Sequence, residues 1–244
     1  MKKIYFLTTC CLAMCLSACS GDNYEYVDLG LPSGTMWATC NIGATKPEEF
    51  GDYYAWGETT TKDYYGINNY KWRGRKSIDG YTYAKTTLDL SDDAAAANWG
   101  GKWRMPTDRQ YSELVNECYW VWTDSYNGSN VAGYIVYKAK AEADKYIARD
   151  YLRSIFGEEA PEPTSSYDLS DAHIFLPAAG FRVDKGEETG LFWAGSGGFY
   201  WSSTRSSQDS HDAYGLGFIS DRVGVDEHKP AYLFIGKPVR AVCK

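Results

Sequence analysis

Beyond residue 26 the chain returns to glycine or to a large aromatic ring every few residues, and stretches with a helical apolar period are few. Its 24 glycines, 9 tryptophans and 21 tyrosines favour short strands and turns over long helices. In a loop-rich chain the large rings have to fill the space between loops, each burying roughly 150–250 Å². Trp37, Trp56, Trp103, Trp120 and Trp201 sit among glycine turns in this way and are expected in the core. Tyr126, Tyr214 and Trp193 are candidates for the surface, where a ring can stack on the apolar C–H face of a sugar.

Three segments break the background with helical spacing. Thr107 followed by Gln110 three residues on forms a capping box, and Tyr111, Leu114, Val115 and Cys118 recur at i, i+3, i+4 and i+7, which predicts an amphipathic helix over 108–118. Ser91, Asp92 and Asp93 open a brief alanine turn that Gly100 closes. Residues 139–156 put Ala148, Tyr151, Leu152 and Ile155 on one face and end at Gly157, before a proline-rich linker over 158–166; this reads as an inserted helix. Alternation or aromatic enrichment predicts strands at Ile174–Leu176, Phe199–Ser202, Tyr214–Ile219 and Val239–Cys243. The expected class is α+β.

The amino terminus carries an address. Lys2 and Lys3 precede an apolar run from Ile4 to Leu16, which has the form of an export signal and is short for a membrane span. It closes on Leu16-Ser17-Ala18-Cys19, the pattern of a lipobox, in which small residues suit the signal peptidase and the Cys19 thiol takes the diacylglycerol. The expected organisation is a signal over 1–18, a lipidated tether over 19–26 and one domain over 27–244, with 138–172 as an insertion. Loss of Lys2 and Lys3 takes the formal charge from −7 to −9. That balance, with no lysine or arginine run, excludes a phosphate-neutralising surface, so no nucleic-acid partner is expected. The acyl anchor makes the membrane a partner. Cys40, Cys118 and Cys243 remain for the domain, and no C-x-x-C spacing joins them into a zinc or redox site.

Reactive chemistry finds little support. Gly195-Ser196-Gly197 approximates a nucleophile elbow, but Phe199-Tyr200-Trp201 follows where a helix is required, so the segment reads as a hairpin tip. Asp209, His211 and Asp212, and Asp226, Glu227 and His228, are oxygen-rich but lack a metal-binding spacing; no metal or cofactor is expected. No phosphate-binding loop is present. No pair of carboxylates can be assigned to glycoside hydrolysis.

Read together, several blocks resemble the Fibrobacter succinogenes major paralogous domain, a family common in bacterial lipoproteins. They are Val27-Asp28-Leu29-Gly30-Leu31-Pro32-Ser33-Gly34, Trp37-Ala38-Thr39-Cys40-Asn41-Ile42-Gly43-Ala44, Gly51-Asp52-Tyr53-Tyr54-Ala55-Trp56-Gly57-Glu58-Thr59 and Asn98-Trp99-Gly100-Gly101-Lys102-Trp103-Arg104-Met105-Pro106-Thr107. Asp92-Asp93-Ala94-Ala95, Glu113-Leu114, Cys118, Phe175-Leu176-Pro177-Ala178-Ala179-Gly180-Phe181-Arg182, Tyr200-Trp201-Ser202-Ser203-Thr204 and Val239-Arg240-Ala241-Val242 complete the match.

The resemblance implies a C-type-lectin-like fold: small twisted antiparallel sheets, two main helices and long loops. It implies no catalysis, since the calcium-lectin and formylglycine-generating signatures are missing. It also implies a Cys40–Cys118 disulfide, with Cys118–Cys243 as the alternative, and a ligand face on the late loops rimmed by Arg205, Gln208, His211, Asp212, Asp221 and His228. The function expected is an outer-membrane lipoprotein whose exposed, non-catalytic domain binds a glycan or protein. The alternative is a structural or assembly subunit of a surface complex or pilus.

Overall fold

The computed structural model describes residues 24–73, 86–145, 162–185, 188–207, 212–226 and 232–244. Among the described residues, three sheets of three antiparallel strands and one two-stranded ribbon accompany two α-helices. β1 (Tyr26–Val27), β2 (Met36–Asn41) and β11 (Arg240–Cys243) form one sheet with β2 central. β3 (Cys118–Thr123), β4 (Gly133–Lys138) and β5 (His173–Pro177) form the second. β8 (Gly197–Arg205), β9 (Ala213–Ile219) and β10 (Arg222–Asp226) form the third, and β6 (Phe181–Lys185) pairs with β7 (Glu188–Phe192). The expected α+β class holds, as do all four predicted strands.

Two of the three predicted helix starts are built by their caps. α1 (Ala94–Trp99) begins on Asp93, whose Oδ1 accepts the N–H groups of Ala95 and Ala96 at 2.8 and 3.0 Å. The same carboxylate accepts the Met105 N–H at 2.8 Å, tying the helix to the following loop. Burial pushes the Asp93 carboxyl up, against the pull of those three N–H groups. α2 (Asp108–Glu117) starts from the Thr107–Gln110 box, with Tyr111, Leu114 and Val115 buried against β8 to β10. Cys118 ends it by turning directly into β3.

The aromatic plugs are where the sequence puts them. Trp37, Trp56, Trp103, Trp120 and Trp201 are all fully buried. Two of their ring N–H groups also sew loops to strands: Trp56 donates to the Ser202 carbonyl and Trp201 to the Tyr54 carbonyl, both at 2.9 Å. Arg240 is fully buried too. It donates to Asn41 Oδ1 and to the carbonyls of Ala38, Thr39 and Phe175 at 2.8–3.1 Å, joining β11 to β2 and β5; burial holds its pKa below the usual arginine value. One surface candidate proves internal: Tyr126 stacks on Phe175, centroids 4.1 Å apart, with its hydroxyl 2.9 Å from His173 Nε2.

Three expectations are corrected. The domain starts before Val27, because Tyr24 stacks on Trp99 at 3.9 Å, the Glu25 carbonyl accepts the Thr39 N–H, and Tyr26 already belongs to β1. Residues 139–145 are not α-helical. Only a 3-10 turn over Glu142–Asp144 forms, because Asp144 is committed to Thr164 and Tyr167, which fold the segment back across 20 residues; 146–161 lie outside the described residues. Finally, Cys40, Cys118 and Cys243 are thiols, so neither expected disulfide is formed. Cys40 donates to the Ala44 carbonyl within its own loop, whereas Cys118 lies in the cluster built on α2. Burial pushes the Cys118 thiol well up. Cys19 and the predicted signal fall outside the described residues.

A glycine-floored aromatic trough as the candidate site

The β8–β9–β10 sheet has two unlike faces. One carries Tyr200, Leu216 and Phe218 into the cluster under α2. On the other, side-chain alternation places Phe199, Gly217 and Gly224 in one row across the three strands, with Gly197, Ile219 and Arg222 in the next. The central row therefore has one side chain and two bare backbone positions. The result is an open trough of about 550 Å³ lined by Phe199, Gly217, Ile219, Arg222 and Gly224, with Phe181 and Trp193 as its wall. A Cβ built on Gly224 would meet nothing within 4 Å, so the space above that strand is empty.

The wall is a relay of rings. Phe181, at the start of β6, packs on Phe192 at 5.9 Å and edge-on to Phe199 at 5.4 Å. Trp193 meets Phe199 edge-on at 6.3 Å and keeps 53 % of its surface exposed. Its backbone is left-handed, with φ +62°. Such a conformation is unfavourable for a residue with a Cβ, and an aromatic gains nothing there that glycine would not. Local geometry holds it: the Trp193 carbonyl accepts the N–H groups of Ser196 and Gly197 at 3.0 and 2.9 Å, and Gly195 donates to the Ala178 carbonyl at 2.7 Å. Gly180 makes room for this turn, since a Cβ there would lie 1.9 Å from the Phe192 carbonyl. The far end of the trough is pinned by Tyr134, whose hydroxyl donates to the Ser220 carbonyl at 3.0 Å. Burial, with the Asp221 carboxylate adding to it, pushes that phenol above its ordinary value, so it stays a donor.

Of the residues expected to rim a face, the three that are described, Arg205, Asp212 and Asp221, do not gather around one point. Arg205 ends β8 and is buried, with its backbone N–H on the Thr86 carbonyl. Asp212 bridges to Tyr232 beside it. Asp221 lies in the β9–β10 turn, at the other end of the hairpin, about 25 Å away at strand rise. Of these three, Asp221 adjoins the trough, through Arg222. Gln208, His211 and His228 lie outside the described residues. The sequence reading missed the trough; the signal that could have found it is the period-two glycine pair Gly215 and Gly217 with Gly224 opposite, a pattern that strips one sheet face while leaving the other apolar.

Ser196 sits at the hairpin tip, its hydroxyl 3.2 Å from the Trp193 carbonyl, so it serves the turn. Among the described residues no group of three or more acids, histidines or cysteines gathers around one point, and no helix is long and apolar enough to cross a membrane.

The architecture defines a mixed α+β protein of small antiparallel sheets with a solvent-open aromatic trough. No protein-family model matches the chain, and no curated protein or solved structure shows significant similarity to it.

Proposed function

We propose that this protein is a lipid-anchored, non-catalytic surface domain of C-type-lectin-like fold that binds a glycan in the trough of its C-terminal sheet. The lipobox at Cys19 and the motif blocks quoted above support the anchor and the fold. The observation that carries the ligand is Trp193, a large ring kept half in solvent at a backbone position that disfavours it. Strain of that kind is retained where it serves a contact. A volume of about 550 Å³ lies in the 300–1,000 Å³ range of small-ligand clefts. Rings on one wall and open backbone on the floor suit a flat sugar with one apolar face. Arg222 at the rim adds a polar contact.

The test is a glycan array on residues 20–244, followed by calorimetry with the best ligand. Gly224→Leu fills the trough without steric conflict at its Cβ and retains a normal strand φ. Affinity is expected to drop at least tenfold, about 1.4 kcal/mol, with the melting temperature unchanged or slightly higher. Unchanged affinity for a bound glycan would remove the trough from the site.

A further inference from the structure

The covalent path from lipid to folded domain is shorter than the tether the sequence suggests. Tyr24 is clamped: its ring lies flat on Trp99 at 3.9 Å and edge-on to Trp103 at 6.3 Å, and those two indoles pack edge-on at 5.1 Å. Only Ser20, Gly21, Asp22 and Asn23 separate Cys19 from this aromatic clamp. Five residue steps reach at most about 18 Å even when fully extended. A domain of this size has a radius of gyration of about 17 Å, hence a sphere-equivalent radius near 22 Å. A sphere held by a leash shorter than its own radius cannot roll over. Its contact with the plane must stay within the hemisphere centred on the attachment point.

That hemisphere holds α1 and the turn before it. α1 has six residues and is about 9 Å long. The 3-10 turn Leu90–Asp92 packs on it, and Leu90 is 66 % exposed, more than any other large apolar side chain among the described residues. Lys102 is exposed in the turn that follows α1. We infer that the α1 end of the domain, with Leu90 at its tip, is a bilayer-facing surface held against the lipid by the four-residue leash. This rests on acylation at Cys19 as proposed above. Leu90 then dips into the interface and Lys102 lies level with headgroup phosphates, while the leash supplies the proximity that one leucine alone does not.

The experiment uses the full acylated chain in vesicles of phosphatidylethanolamine and phosphatidylglycerol containing headgroup-spin-labelled lipid. An environment-sensitive fluorophore is placed at Leu90→Cys in a Cys40→Ala background. Flotation first shows whether the protein is membrane-bound. In the floated protein the label is expected to shift to the blue and to lose at least half its emission to the spin label. Inserting twenty glycine and serine residues after Asp22 is expected to restore most of that emission while flotation persists. An unquenched label on floating protein, or quenching that survives the longer leash, overturns the inference and leaves the anchor standing. Failure to float, with Cys19→Ala behaving identically, overturns the anchor and the inference together.

Discussion

Trp193 offers a sign test that an ordinary surface residue would fail. Its ring is about half buried, so truncation forfeits roughly 100 Å² of apolar contact, an upper bound of about 2–3 kcal/mol. Trp193→Ala loses that contact and keeps the Cβ, hence keeps the left-handed strain of about 1–2 kcal/mol. Trp193→Gly loses the same contact, sheds the strain, and gives back roughly 0.5–1 kcal/mol through the greater freedom of glycine when unfolded. The glycine variant is therefore expected to be more stable than the alanine variant by about 0.5–1 kcal/mol. That inverts the usual order, in which glycine is the worse by a similar amount. Guanidinium unfolding of both variants under matched conditions reads this as a difference in midpoint at equal slope. Thermal melts should place glycine about 2–3 °C above alanine. Both variants should lose glycan binding equally. An alanine variant more stable than the glycine one by about 0.5–1 kcal/mol, the usual order, would mean that the turn exerts no strain, and the argument from strain to ligand contact would fall with it.

Two further outcomes concern parts of the chain that support the trough from a distance. Arg240→Met leaves the Asn41 side chain and three carbonyls without their donor in a fully buried site, and is expected to cost about 3–5 kcal/mol, lowering the melting temperature by roughly 10 °C. A loss under about 1 kcal/mol, read by circular dichroism, would show that water or backbone movement satisfies them instead. Asp144 closes the insertion: burial pushes its carboxyl up, but hydrogen bonds from Thr164, Ser165 and Tyr167 outweigh this and hold it well below the usual range. With the folded value below an unfolded one near 3.9, its stabilisation is complete above about pH 4 and fades as pH falls further. Pepsin should therefore cut the 145–162 region of the wild type more slowly than that of Asp144→Asn at about pH 4.5, the gap closing toward pH 2. A constant ratio across that range would exonerate the carboxylate.

Elements whose signal is local could be read from the chain. Thr107 and Gln110 cap α2 as their spacing requires, Asp93 and Gly100 bracket α1, and the five glycine-flanked tryptophans are buried. Where tertiary contacts override propensity, the reading shifts. Residues 139–145 carry the alanines and acids of a helix start, yet Asp144 accepts from Thr164 and Tyr167, 20 and 23 residues away, and this stretch forms one 3-10 turn; Ala148, Tyr151, Leu152 and Ile155, the face of the expected helix, lie outside the described residues. β3 hides the same way: Cys118 reads as the last buried position of a helix, and only its pairing with Lys138 shows that it opens a strand.

The site was less legible, because the features that form it are absences. Polar late loops suggested a rim, but Arg205 is buried at one end of the hairpin and Asp221 exposed at the other, so charge along the sequence did not translate into charge around one cleft. Register decides the matter. A slip of one residue between β9 and β10 would set Gly217 against a valine and put Val223 and Val225 on the open face, closing the trough with side chains. Glycine in a strand interior costs stability for lack of a side chain to pack, and Gly224 has room for one that it does not carry. A strand that forgoes stabilising contacts opposite a strained, exposed tryptophan keeps a cleft open at the expense of the fold, and it is that pairing of an unfilled floor with an unburied wall that points to a ligand.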